Sequence, residues 1–492
     1  MKLAYGVKDR PKAGRIVLFS LQQLLAILAA TITVPAVVNG NTGATLSQSA
    51  ALFGAGVGTI VYLLFTKFKS PVFLGSSFAF IGSMTSAIAG AASMSMGYLG
   101  LLIGAAFAGL VYVIIAVIVK FAGVNWIDKI MPAVVIGPTV AIIGLSLAGS
   151  AISQLTGGAV NAGGSYVMNT HALLSILCGI TALAVTIVCS VYGKKMMKMI
   201  PFVLGILAGY ALAAIFTGIG HAANKEALQI INFEIFKQLK TAKAWYPDFT
   251  FVTAFKGHYG KGMGAYIGTV ALAYIPVAFV VFAEHLADHN NISSIIESDL
   301  TKDPGLHRTL LGDGVGSIAG AFFGGAPNTT YGESIGCVAI SGNASVITIF
   351  VTALMAIVSA FLAPFTLFLS SIPSCVMGGV CVALYGFIAV SGLKMVQKVD
   401  LGDNRNLFTV SVILIAGIGG LALQFATKVG KPPITLTGVA CALILGILTN
   451  LLVNIGHKNK GAVEADASAN EAIAHDEVPQ EEAAATEETP NE

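Results

Sequence analysis

Glu284 and Asp288 stand four residues apart in Phe282-Ala-Glu284-His285-Leu-Ala-Asp288-His289, after the almost wholly apolar run Val270–Ala283. Residues at i and i+4 share one face of a helix, so the two carboxylates would be presented together. A third, Glu333, follows a run rich in Gly and hydroxyl residues, Gly324-Gly-Ala-Pro-Asn328-Thr-Thr-Tyr331-Gly332. A carboxylic acid at membrane depth must be protonated, paired or turned to a polar cavity. In a cavity it accepts from the N–H groups of a ligand and can carry a proton. Helix breaks such as the one expected at Gly332 expose main-chain N–H groups, which donate to ligand carbonyl oxygens. Acids and open amides together suit a small, planar, neutral molecule with alternating donors and acceptors, with Phe78 and Tyr331 covering its faces. The plainer alternatives are that Asp288 sits in water at a frayed helix end and that each aromatic packs in the core or against lipid.

The elements that must position these groups are membrane helices. The chain has 492 residues, 55% hydrophobic and 10% charged, with a mean hydropathy of +0.83. Soluble domains carry about 25% charged residues, which excludes that class. Ten of the 24 Asp and Glu lie in the last 36 residues. Of the others, only Asp128, Glu284, Asp288, Asp313 and Glu333 fall in or at the ends of apolar segments. Met1–Arg15 is basic and leads into an apolar run long enough to span, so no cleaved signal is expected. The six cysteines lie in apolar segments without CxxC spacing and read as packing residues, neither disulfides nor a metal site.

A span needs about 20 apolar residues. That rule places spans near 16–38, 48–66, 71–91, 97–119, 131–153, 171–192 and 199–218, then 264–288, 309–325, 328–342, 344–369, 372–393, 406–425 and 434–456, fourteen in all. Lys and Arg concentrate in cytoplasmic loops. With the N-terminus inside, alternate loops carry Lys67 and Lys69, Lys120 and Lys129, Lys194, Lys195 and Lys198, Lys302 and Arg308, and Lys394, Lys398 and Arg405. Loops 92–96 and 154–170 carry no charge, and Lys225–Lys261 is the exception, as a long external segment. Both termini are expected in the cytoplasm. Residues 457–492, rich in Ala and Glu, read as a disordered acidic tail.

Met131-Pro-Ala-Val-Val-Ile-Gly137 resembles Ile372-Pro-Ser-Cys-Val-Met-Gly378, seven spans later. An odd offset makes the copies antiparallel, an inverted repeat of seven plus seven. Span three begins Leu74-Gly-Ser-Ser-Phe78 and span ten Asn328-Thr-Thr-Tyr331-Gly332, each with two hydroxyls before an aromatic. This composition disfavours helix and permits short strands. Broken segments at matching positions of two repeats point to a transporter's substrate site. The expected divisions are an N-terminus of 1–15, a first repeat of 16–218, an extracytoplasmic loop of 219–263, a second repeat of 264–456 and the tail.

His285 and His289 form an i, i+4 pair, but nothing supplies the acid of an HExxH motif, so no metal is expected. Gly54-x-Gly-x-Gly58 and Gly312-x-Gly-x-Gly316 lie within apolar spans and read as close helix contacts rather than nucleotide loops.

Taken in order, Ser20-Leu-Gln-Gln-Leu-Leu-Ala26, Leu74-Gly-Ser-Ser-Phe-Ala-Phe80, Ala283-Glu-His-Leu286, Asp303-Pro-Gly-Leu-His-Arg308 and Pro327-Asn-Thr-Thr-Tyr-Gly-Glu333 resemble the nucleobase–ascorbate transporter (nucleobase–cation symporter 2) family, nearest its bacterial uracil permeases. The likeness runs to about Asn454. It implies an all-α polytopic membrane protein with core and gate domains, the core made of spans one to four and eight to eleven. It also implies proton-coupled uptake of a nucleobase and a homodimer in the cytoplasmic membrane. Glu284 and Glu333 would bind the base, the main chain at Phe78 and Gly332 would assist, and Ala30 and Tyr331 would line the pocket. Glu at 333 resembles the pyrimidine branch. Three positions depart from the pattern: Asp288 where some uracil carriers have His, Ser334 where Asn is frequent, and Gly342 where a basic residue is frequent.

The expectation is a proton–uracil symporter working by alternating access, with Glu284, Asp288, His289 and Glu333 in proton coupling. Beyond the proton no cofactor is expected, and no nucleic acid partner. A xanthine or urate permease is the alternative. An anion exchanger or channel would need a cation in the broken spans, where none stands, and no nucleophile–base pair points to an enzyme.

Overall fold

The structure is a computed structural model. It describes residues 3–455 except 125, 128–130, 158–163, 195, 258, 260–261 and 426–433. Asp128, Lys129, Lys195, Lys261 and the tail 457–492 lie outside the described residues.

In chain order the elements begin with α1 (Ala13–Thr42), α2 (Gln48–Phe65), β1 (Leu74–Ser76), a helical turn at Phe78–Phe80, α3 (Ile81–Ala89) and α4 (Met94–Ala122). They continue with α5 (Ala133–Ser146), α6 (Ala148–Thr156), α7 (Thr170–Tyr192), α8 (Met196–Met199), α9 (Pro201–Ala222) and α10 (Thr250–Phe255). The second half holds α11 (Met263–Ile296), α12 (Leu306–Gly324), β2 (Asn328–Thr330), α13 (Gly332–Ser341), α14 (Val346–Ser359) and α15 (Ala363–Ser371). It ends with α16 (Ser374–Val396), α17 (Asn404–Ile418), β3 (Leu423–Phe425), β4 (Ile434–Leu436) and α18 (Gly438–Val453). Among the described residues eight helices are long and apolar enough to cross a membrane, and nine if the bent pair α14–α15 is one span.

Four boundaries differ from those expected. Helix α11 does not end at 288 but runs on to Ile296, because Ile292, Ile295 and Ile296 still pack on the interior. Asp288 is therefore well inside a helix rather than at a frayed end. The segment 344–369 bends by 82° between α14 and α15, where Pro364 in the first turn of α15 cannot continue the preceding ladder. The segment 131–153 breaks at Leu147 and extends to Thr156. The segments 406–425 and 434–456 are helical only in part. Gly419-Gly420 stops α17, and β3 and β4 pair antiparallel with Leu423 opposite Leu436. These two strands lie outside the segments in which short strands were expected.

Helix α2 packs on α12, and α12 and α11 both pack on α4. A second set forms around α16, which meets α5, α6 and α7, while α17 and α18 pack on each other and on α5. The glycine motifs are where the first set closes. A Cβ on Gly58 would lie 2.7 Å from the Gly316 carbonyl oxygen, and one on Gly316 2.7 Å from that of Gly58. Only glycine lets the two backbones approach so closely. The loop after α11 and the first turn of α12 are tied to the end of α2 and the residues just after it: Lys69 pairs with Asp303 at 2.5 Å, and Arg308 donates to the Phe65 carbonyl at 3.0 Å.

Candidate functional site

Strands β1 and β2, more than 250 residues apart in the chain, pair antiparallel with Leu74 opposite Thr330, Gly75 opposite Thr329 and Ser76 opposite Asn328. The pairing is continued by Ser77 N–H to the Pro327 carbonyl at 2.9 Å and Tyr331 N–H to that of Phe73 at 3.2 Å. Both strands are buried on every residue, so these ladder bonds satisfy groups that water does not reach. The Tyr331 ring lies over Gly75, where a Cβ would be 2.2 Å from the ring, and its hydroxyl donates to the Ser76 carbonyl at 2.8 Å. Each strand leads into a helix start, α3 by way of the turn at Phe78 and α13 at Gly332.

Glu284, Asp288, Gly332 and Glu333 line one cavity of about 310 Å³. The continuous helix α11 supplies the first two and the start of α13 the others. The Thr330 hydroxyl donates to Asp288 at 2.7 Å, joining α11 to β2. Gly332 is exposed, and a Cβ there or on Gly336 would meet nothing within 4 Å, so both glycines leave open space. The same lining includes Ala26, Ser190, Lys198, Leu384, Ser391 and Met395.

A second cavity, of about 330 Å³, is lined by Asn41, Phe78, Ile143, Leu147, Gly420 and Thr437 among others. The two approach each other across α5, where Val140 lines the first and Ile143 the second. Between them the Phe78 ring meets Tyr385 edge-on at 5.7 Å, and the neighbouring Leu384 belongs to the first cavity.

The remaining expected residues are placed differently. Ala30 and Tyr331 are buried and line neither cavity, whereas Ala26, one turn before Ala30, lines the first. His289 is fully buried away from the cavities. Its Nδ1 is 2.8 Å from the His285 carbonyl, which can only accept, so the proton is on Nδ1. In the neutral ring Nε2 then accepts from Tyr62 at 2.7 Å, and Tyr62 is bonded to Ser70 at 2.6 Å. His285 and Asp313 are paired at 2.6 Å, with Thr309 at 3.0 Å from the other ring nitrogen. The two imidazoles stack at 3.9 Å. Among the described residues no cluster of three or more His, Cys, Asp or Glu could hold a metal.

Sequence reasoning missed Thr330, Lys198, Tyr385 and the support under Ser334. The Ser334 hydroxyl accepts from Phe73 N–H at 3.1 Å and from Gln23, which also donates to the Ser334 carbonyl at 3.2 Å. Gln23 stands in the Ser20–Ala26 motif, so a signal was present. Gly342 caps α13 with φ of 65°, a conformation that a basic side chain would strain.

The model of the Permease family matches residues 14–425. The uracil permease of Bacillus caldolyticus is 38% identical over 453 residues, 91% of this chain and 94% of that protein. That of Bacillus subtilis is 37% identical over 455 residues, 92% and 95% of the two chains, and that of Escherichia coli K12 35% over 454 residues, 92% and 94%. Two solved structures share the fold at low identity. They are the transmembrane domain of the cyanobacterial bicarbonate transporter BicA (TM-score 0.56, 15% identity, 90% of this chain and 98% of that one) and the murine anion transporter Slc26a9 (TM-score 0.59, 13% identity, 91% and 69%). With the family model matching residues 14–425 and relatives of one kind more than a third identical over nine-tenths of the chain, this chain belongs to the nucleobase–ascorbate transporter family of membrane permeases.

Proposed function

We propose that this permease carries uracil across the cytoplasmic membrane together with a proton. The observation that carries the reading is the first cavity, which brings Glu284, Asp288, Glu333 and the open main chain at Gly332 onto one space. Carboxylates accept the ring N–H groups of the base, and main-chain N–H groups in the first turn of α13 donate to its carbonyl oxygens. A cavity of about 310 Å³ is at the lower end of the range for small-molecule sites. The names of the similar permeases favour uracil as the base.

Glu284 and Asp288 carry the coupling proton, with Glu333 facing them and His289 bonded behind them to Tyr62. Two cavities separated by Phe78 and Tyr385 support alternating access. The helix set around α2, α4 and α12 serves as the core, and the set around α16 as the gate. In this reading the chain forms fourteen spans in inverted sevens, 16–218 and 264–456, joined by an external loop at 219–263. The termini 1–15 and 457–492 are cytoplasmic, and two copies form a homodimer. The cavity with Lys198 then opens to the cytoplasm and the one with Asn41 to the outside.

Unlabelled uracil is expected to compete fully against labelled uracil uptake in proteoliposomes, with xanthine far weaker. Strong competition by xanthine and none by uracil would move the assignment to a purine carrier. A side chain at Gly336 would project into the open space of the first cavity. Gly336→Val is expected to lower uracil uptake at least about tenfold, as one or two misplaced methyls do in a fitted pocket, with melting temperature in detergent unchanged. Parent-like uptake by that variant would place the base elsewhere.

A further inference from the structure

We infer that Leu3–Asp9 is a strap that holds the far end of α13 and, through it, sets the position of Glu333. The inference rests on the uracil-site reading above. Helix α13 has only ten residues, about 15 Å of length, and helices shorter than about 12 residues are marginal on their own. It must be held at both ends. Glu333 stands in its first turn, next to β2, and Gly336, Cys337 and Ile340 line the same cavity further along.

The other end is held by the N-terminal segment. The Gly342 amide donates back to the Val338 carbonyl at 2.9 Å, and the Gly342 carbonyl accepts from Ala4 N–H at 2.8 Å and Tyr5 N–H at 3.1 Å. Tyr5 and Asn343 form a parallel bridge. Ala344 N–H then donates to the Tyr5 carbonyl at 2.9 Å and Val346 N–H to that of Val7 at 3.1 Å. The Ser345 hydroxyl donates to the Asp9 carbonyl at 2.6 Å. Leu3 and Val7 pack against the interior.

The strap is anchored in turn on α1. Arg15 donates to the Tyr5 hydroxyl at 2.5 Å, and the Tyr5 ring meets Phe19 edge-on at 6.0 Å. At the next residue, the Ser20 hydroxyl donates to the Thr348 carbonyl at 2.9 Å. The segment thus ties α1 to the turn between α13 and α14, and none of its residues lines either cavity. It is a positioning element: removing it takes away nothing that touches the base.

The test is a full-length comparison with a chain lacking residues 2–9, each reconstituted and counted for inserted protein. Amide exchange over 336–346, read without any base, is expected to speed up at least about tenfold as the far end of α13 opens locally. The uracil concentration for half-maximal uptake is expected to rise about fivefold, in line with losing one or two net hydrogen bonds' worth of order, while the maximal rate per inserted molecule stays near the parent's. Unchanged exchange, or a fall in maximal rate without a change in half-saturation, would overturn the inference.

If the shortened chain does not insert, the full-length Tyr5→Phe, Ser345→Ala double variant is read in the same two ways. Parent-like values in both would overturn it equally. Because exchange needs no substrate, faster exchange in a protein that does not transport uracil would sink the functional reading and leave the strap standing.

Discussion

Glu284→Gln should abolish gradient-driven accumulation of uracil in proteoliposomes while the protein stays folded. The amide matches the carboxyl in shape, so the half-buried position on α11 and the packing around it are retained. Two things are lost. A carboxylate bonded to a ring N–H is a charge-assisted acceptor, worth about 1.5–3 kcal/mol in net terms, or roughly a ten- to hundredfold weaker site. An amide also cannot take up and release a proton, so nothing at this position links uracil movement to the proton gradient. Exchange of labelled for unlabelled uracil without a gradient is therefore expected to survive at higher concentrations, whereas uphill accumulation is not. Accumulation that persisted in Glu284→Gln would refute the role assigned to this residue. Asp288 differs, because it already accepts from the Thr330 hydroxyl at 2.7 Å. Its replacement disturbs the joint between α11 and β2 as well as any proton it holds.

Gly58→Val is the change expected to damage the fold most. A Cβ at Gly58 would lie 2.5 Å from the Asn328 side-chain nitrogen and 2.7 Å from the Gly316 carbonyl oxygen, and valine adds two methyls beyond that. Backbone cannot move aside as the tip of a flexible side chain can. Helix α2 would have to leave α12, and Asn328, which donates to the Gly54 carbonyl at 3.2 Å, would lose its seat. Asn328 belongs to β2, so the wedge would propagate to the strand pair and to Glu333 just beyond it. Overpacking of this kind costs about 3 kcal/mol or more, enough to lower the melting temperature in detergent by several degrees. Gly264→Val is the matched control, since a Cβ there meets nothing within 4 Å. A Gly58→Val protein melting within about 2 °C of the parent would show that the α2–α12 contact tolerates separation.

Much of this was legible in the chain because the signals are local. Apolar runs and glycine spacing read out where most helices lie, since a bilayer admits few alternatives. Two hydroxyls before an aromatic marked β1 and β2, and the acids marked Glu284, Asp288 and Glu333 as unusual. Helix ends were less legible. Asp288 looked like a helix end because polar residues follow it, yet Ile292, Ile295 and Ile296 keep α11 going. The strands at the ends of 406–425 and 434–456 read as helix because a short apolar run has no period long enough to separate the two.

The candidate site is assembled from α11, the start of α13 and the strand pair β1–β2. By itself the sequence marked the chain as a membrane protein resembling one permease family, and singled out the few acids that fall in apolar segments. It also named the two broken segments. Only the tertiary structure decided that those segments pair, because the ladder joins residues more than 250 positions apart, and no local preference encodes such a partner. It also decided which of two neighbouring groups faces the cavity. Asp288 lines it, while His289, one helical step of about 100° further round, is turned to Tyr62. That choice depends on what packs against each face of α11, and the faces are furnished by helices from the other end of the chain.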